Sequence, residues 1–137
     1  MDYTTIEQSK KLVKLGLDVK THDMFYEQEI GRKTDMPYYV VKVGKSVAIE
    51  QNLFSYRNEL TIPCWSVTAL LELMPTPTLS RIDDEKKNDP SLWYCNSIQF
   101  GEDFFDHQGG YHDNPIDACI EAIEWLIENG HIERKEL

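Results

Sequence analysis

The stretch FFDHQGGYHDNP, Phe104 to Pro115, sets two histidines, two aspartates and a Gly-Gly pair within twelve residues. Imidazoles and carboxylates are ligands for a divalent metal, and glycine amides ahead of a helix suit a phosphate. If Gly109 and Gly110 form the centre of a two-residue hairpin turn, His107 sits directly across from His112. Cross-strand Cβ atoms lie about 4.5–5.5 Å apart, close enough for two imidazoles to share a zinc ion. A small metal-dependent hydrolase using His107 and His112 is therefore one expectation. Its third ligand would come from Asp106 or Asp113, yet one step along a strand points to the opposite face. The same register sets Asp106 against Asp113, and like charges in that position repel.

For phosphate, Asp113 and Asp117 flank the helix start and oppose an anion, and no G-x-x-x-x-G-K-[ST] pattern is present. The plainer reading is adopted: Phe104 and Phe105 are sheet residues, Gly109-Gly110 is a turn, and Asn114-Pro115 opens a helix. On that reading no catalytic, cofactor-binding or metal residue is assigned.

Other groups are weighed the same way. Cys64, Cys95 and Cys119 are odd in number and widely spaced, without C-x-x-C. A nucleophilic cysteine needs a base within hydrogen-bond reach and a lowered pKa. Nothing in the order of residues places His22, His107, His112 or His131 beside one, and buried thiols are ordinary small core residues. Carboxylates for acid-base chemistry are abundant, but DDEKKND reads as a solvated loop. Glu121, Glu124 and Glu128 read as the water-facing stripe of a helix. Trp65, Trp93 and Trp125 read as core or sheet packing, with Trp125, off the isoleucine stripe, as the candidate exposed contact.

The elements that would position these groups follow from periodicity. Thr4 to Glu7 matches a capping box ahead of a helix with Ile6, Val13 and Leu17 on its apolar stripe; Gly16 ends it and Leu17 folds back. HDMFYEQEI and MPYYVVKVGKSVAI read as an antiparallel hairpin joined through GRKTDMP, and EQNLFSYRNELTI is ambiguous. PCWSVTALLELMPTP reads as a mostly buried helix with Ser66 as N-cap and Pro75 as its stop. TLSRI and SLWYCNSIQF read as strands around DDEKKNDP. In NPIDACIEAIEWLIENGHI, Asn114 caps, Pro115 takes the first helical position, Ile116, Ile120, Ile123 and Ile127 form one face, and Gly130 closes the helix.

The expected fold is α+β: one domain spanning 1–137, with an antiparallel sheet of four to five strands and three helices packed on it. A chain of 137 residues with 41% hydrophobic content can bury a core. Its formal net charge of −10 repels a phosphate backbone, so direct nucleic-acid binding is not expected. The same charge would suit an acidic mimic of nucleic acid that inhibits a DNA-binding protein. With no basic-then-apolar leader in MDYTTIEQSKK and no apolar run near the roughly 20 residues that span a bilayer, a reduced, cytosolic protein without membrane contact is expected.

Three stretches, TIEQSKKLVKLGLD, IPCWSVTALLELMP and NPIDACIEAIEWLIENGHI, together resemble a family of short uncharacterised bacterial proteins found among prophage and mobile-element genes. The resemblance rests on helices and caps and carries no catalytic residues. It implies a cytosolic accessory protein of phage or mobile-element origin. Joined with the lack of an assembled catalytic motif, it leads to the expectation of a non-enzymatic module whose partner is another protein.

Overall fold

The computed structural model describes residues 2–30, 37–51, 60–74, 77–82, 92–99, 102–106 and 112–135. Its first helix, α1 (Ile6–Leu15), is capped one residue later than the Thr4–Glu7 box predicts. The Thr5 hydroxyl accepts from the Gln8 amide at 3.1 Å, and Gln8 Oε1 accepts from the Thr5 amide at 2.9 Å. TTIEQ fits a capping box in either register. Thr4 is withdrawn from the choice because it is fully buried and its hydroxyl accepts from the Trp65 amide at 3.1 Å.

The far end of α1 closes as expected. Gly16 has φ of 97°, and Leu17 donates its amide to the Leu12 carbonyl at 3.1 Å. A side chain at Gly16 would be strained by that φ and would press on the Cγ of Arg134. Gly16→Ala is therefore expected to destabilise the protein by about 1–2 kcal/mol, read as a lowered urea midpoint.

Strands β1 (Met24–Ile30) and β2 (Pro37–Val43) pair antiparallel, with Tyr26 opposite Val41 and Glu27 opposite Val40. The predicted second strand runs on through GKSVAI, but β2 stops at Val43. Gly44 turns the chain with φ of 110°, and Ser46 caps a short helix, α2 (Val47–Glu50). Glycine in the left-handed region followed by a capping hydroxyl overrides the apolar alternation that suggested strand.

Strand β3 (Thr61–Cys64) pairs with the other side of β1, giving the order β2-β1-β3. Pro63 and Cys64, expected at a helix entry, lie in this strand. Its position at the end of the order suits Pro63, which has no amide to donate. Ser66 then caps α3 (Val67–Glu72) as expected, its hydroxyl accepting from the Ala69 amide at 3.1 Å. α3 is amphipathic rather than buried throughout: Ala69 and Leu70 are buried, whereas Thr68 and Glu72 are exposed.

A second sheet has the order β4-β5-β6, from β4 (Pro77–Ile82), β5 (Leu92–Gln99) and β6 (Glu102–Asp106). Phe104 and Phe105 are sheet residues, and the pairing of β5 with β6 shifts register between Ser97 and Ile98. The predicted turn DDEKKNDP and most of the GRKTDMP connection lie outside the described residues. Helix α4 (Pro115–Glu128) begins as predicted, with Asn114 accepting from the Asp117 amide at 2.9 Å and Pro115 at its first position.

The architecture is α+β. In place of one sheet of four to five strands with three helices, the described residues form two three-stranded antiparallel sheets and four α-helices. The helix that sequence reading missed is α2, and the missed strand is β3. The main core joins Leu12 and Val13 of α1, Trp65, Leu70 of α3, Cys95 of β5 and the isoleucine face of α4. Ala118 and Ala122, both buried, let α4 come close to its neighbours. No helix among the described residues is long and apolar enough to cross a membrane.

Candidate functional site

The FFDHQGGYHDNP stretch is described only at its ends. His107, Gly109 and Gly110 lie outside the described residues, while Asp106 and His112 lie within them. Asp106 pairs antiparallel with Asn96 of β5, and His112 pairs antiparallel with Trp93 of the same strand. Trp93 meets Arg81 of β4 on its other side, so Asp106 and His112 lie along one edge of β5. The expected turn at Gly109-Gly110 and the pairing of His107 with His112 fall outside the described residues.

The His112 ring is engaged elsewhere. Its Nε2 lies 2.6 Å from Glu121 Oε2, with both side chains about a quarter exposed. Asp113, one of the two aspartates considered as a third ligand, is exposed. Glu121 was expected to face water; nine residues downstream on α4, it is brought to His112 by the way the helix lies against β5. No sequence periodicity announces that contact. Among the described residues, no three His, Cys, Asp or Glu side chains gather as a metal site.

A phosphate at the start of α4 would meet a carboxylate already in place. Asp117 accepts from Gln8 Nε2 at 2.6 Å and from Asn114 Nδ2 at 2.7 Å. These bonds tie the first turn of α4 to the first turn of α1.

The junction of the amino-terminal segment with β1 and β3 holds a buried polar network. The Thr4 amide donates to the Trp65 carbonyl at 2.9 Å, and the Thr4 and Ser9 hydroxyls lie 2.7 Å apart. Tyr26 donates its phenol to the Thr4 carbonyl at 2.7 Å, and the Cys64 thiol lies 3.4 Å from the same oxygen. Burial pushes both the Tyr26 phenol and the Cys64 thiol above their usual ranges. A nucleophilic cysteine requires the reverse shift, so Cys64 is a core thiol in a hydrogen-bonded junction.

Among the described residues His22 is the histidine buried completely, and it is not a base for Cys64. Its Nδ1 lies 2.7 Å from the Val19 carbonyl, and its Nε2 accepts from the Ser46 amide at 2.9 Å. Those partners fix the neutral tautomer with the proton on Nδ1. Beside it, Asp23 accepts from the Ser66 amide at 2.9 Å and from the Ser66 hydroxyl. His22 and Asp23 thus hold the caps of α2 and α3, respectively. The Ser66 cap was legible and the Ser46 cap was not; neither were the residues that hold them, since each acts across more than twenty positions.

The tryptophans divide. Trp65 is fully buried, with its indole N–H donated to the Thr21 hydroxyl at 2.9 Å. Trp93 and Trp125 are partly buried and pack on the same core. Trp125, the expected contact point, stacks on His131 with ring centroids 5.6 Å apart.

No family model matches the chain, and neither a curated protein nor a solved structure matches it.

Proposed function

We propose that the chain is a non-enzymatic, cytosolic accessory module that acts by binding another protein. One observation carries this reading. The exposed large apolar residues among those described are Tyr38, Val43, Val47 and Leu60, and all four belong to the β2-β1-β3 sheet or the segments attached to it. Val43 is 85% exposed and Val47 70% exposed, on either side of the turn that joins β2 to α2. β2 is also an outer strand of its sheet, the position from which a strand can offer main-chain groups to a partner. Apolar groups exposed about one turn, as Val43 and Val47 are, mark an interaction site more often than singly scattered ones do.

The chemistry-bearing side chains support the same reading from the other direction. His22, Asp23, Cys64 and Asp117 are each held in bonds that organise helix caps or the sheet junction. The prophage or mobile-element origin suggested by the three sequence stretches supplies the context of an accessory protein meeting a host partner.

The test compares the wild-type chain with a Val43→Glu/Val47→Glu variant as baits in host lysate. Both positions are exposed, so the variant is expected to keep its far-UV spectrum and its Tm to within a few degrees. The wild type is expected to retain a partner that the variant loses. Retention of nothing above background by the wild type, at several salt concentrations, would reject the proposal.

A further inference from the structure

The Ser46 amide is anchored by a side chain 24 positions earlier. His22 is fully buried; its Nε2 accepts from that amide at 2.9 Å, and its Nδ1 meets the Val19 carbonyl at 2.7 Å. Both ring nitrogens are committed, and only a neutral imidazole fits, because a proton at Nε2 would set two donors against each other. Ser46 in turn starts α2, and α2 is lightly held. The Ser46 hydroxyl accepts from the Ile49 amide at 3.5 Å, a longer cap than the 3.1 Å of Ser66 on α3. Ile49 is the buried residue of this four-residue helix, and it stands apart from the main core that surrounds α4. α2 rests instead on the 3-10 turn Val19–Thr21 and on β3.

We infer that His22 is a proton switch for α2: a proton taken up at Nε2 expels the Ser46 amide and opens the segment 44–51 while the main core stays folded. The charged groups about the ring divide. Lys45, before α2, opposes the imidazolium, whereas Glu50, on α2, favours it. Asp23, next in the chain, also favours it, though its carboxylate is held by Ser66. At the 3-10 turn, the Asp18 carboxylate accepts from the Lys20 amide, and the Lys20 carbonyl accepts from Lys45 Nζ at 2.6 Å. β3 brings no charge, its Cys64 thiol being kept neutral by burial. Burial of the ring outweighs Glu50 and Asp23, so the closed form resists the proton, while in the opened segment the ring takes it near the ordinary 6.5. Above that pH the closed form is undiminished. Below it the open form gains about tenfold per pH unit until the closed form also binds the proton. Because Val47 begins α2, opening also disperses the exposed Val43 and Val47; that consequence rests on the partner-binding role proposed for them, whereas the switch does not.

The experiment is native-state amide exchange followed by NMR, on the full chain and on His22→Gln, from pH 7.5 to 5.0 and in low urea. Glutamine offers an uncharged oxygen in place of Nε2. After correction for intrinsic rates, the Ser46, Glu50 and Gln51 amides of the wild type are expected to lose protection by about tenfold per pH unit below 6.5. Their exchange is expected to be indifferent to low urea, as for a small local opening, whereas the Ile123 and Leu126 amides of α4 respond to it. His22→Gln is expected to hold the protection of the three amides constant across the range. If that variant fails to fold, the wild-type imidazole shifts decide: they are expected to report the Nδ1–H tautomer at pH 7.5 and to titrate together with the Ser46 amide. Protection of these amides that does not change with pH, a urea response shared with α4, the same pH dependence in His22→Gln, or an imidazole that titrates apart from the Ser46 amide would each overturn the inference.

Discussion

Trp65→Ala is expected to lower the unfolding free energy by about 3–5 kcal/mol, the range for deleting a fully buried large aromatic side chain. Small domains unfold with only about 5–15 kcal/mol in total, so much of the population would be unfolded under mild denaturant. The expectation rests on more than ring volume. Trp65 follows β3, is fully buried, and exchanges main-chain bonds with the amino-terminal segment through Thr4. Its indole also satisfies the Thr21 hydroxyl in the 3-10 turn Val19–Thr21. Trp65→Phe keeps most of the packing and loses that one bond, so a smaller loss of about 1–2 kcal/mol is expected. Urea titrations followed by circular dichroism measure both. A Trp65→Ala midpoint close to the wild type would show that the side chain does not hold the junction together.

The second large effect is that of His22. Burial lowers its pKa below the ordinary 6.5, and Lys45 acts in the same direction. The bond to the Val19 carbonyl and the charges of Glu50 and Asp23 oppose the shift without cancelling it. In the unfolded chain the imidazole takes up its proton near pH 6.5; in the folded chain it resists until a lower pH. Above both values neither state is protonated and stability is undiminished. As the pH falls through 6.5 the unfolded state gains a proton that the folded state refuses, and stability drops until the folded pKa is passed. Protonation would also turn Nε2 into a donor facing the Ser46 amide, breaking the bond that anchors the cap of α2. His22→Ala removes both buried bonds and leaves the Ser46 amide and Val19 carbonyl without this partner, at an expected cost of about 2–4 kcal/mol at neutral pH. The variant should also lose part of the wild type's decline in urea midpoint between neutrality and mild acid. Parallel pH profiles for the two proteins would contradict this account.

Local signals carried much of the fold because caps and strands announce themselves over a few residues. Asn114-Pro115 opens α4, Gly16 closes α1, and Ser66 starts α3, each through a bond spanning three to five positions. Ambiguity began where two local signals competed. Thr4 and Thr5 both suit a capping box, and only the arrival of β3 from some sixty residues away assigns Thr4 to the junction. TIPC is too short, and too proline-like, to declare itself a strand before β1 is there to pair with it. The contacts that define the candidate sites are longer still. His112 meets Glu121, His22 meets Ser46 and Cys95 meets Met74 because whole elements pack, and periodicity along one element contains no record of that.

The carboxylate of Asp117 has a wider consequence. It sits in the first turn of α4, yet one of its oxygens is held by Gln8, 109 positions earlier, and Gln8 also completes the cap of α1. The openings of the two helices are therefore mechanically linked through a single side chain. Fraying at either one slackens the grip on the other, so both starting turns should behave as one cooperative unit rather than as independent loose ends.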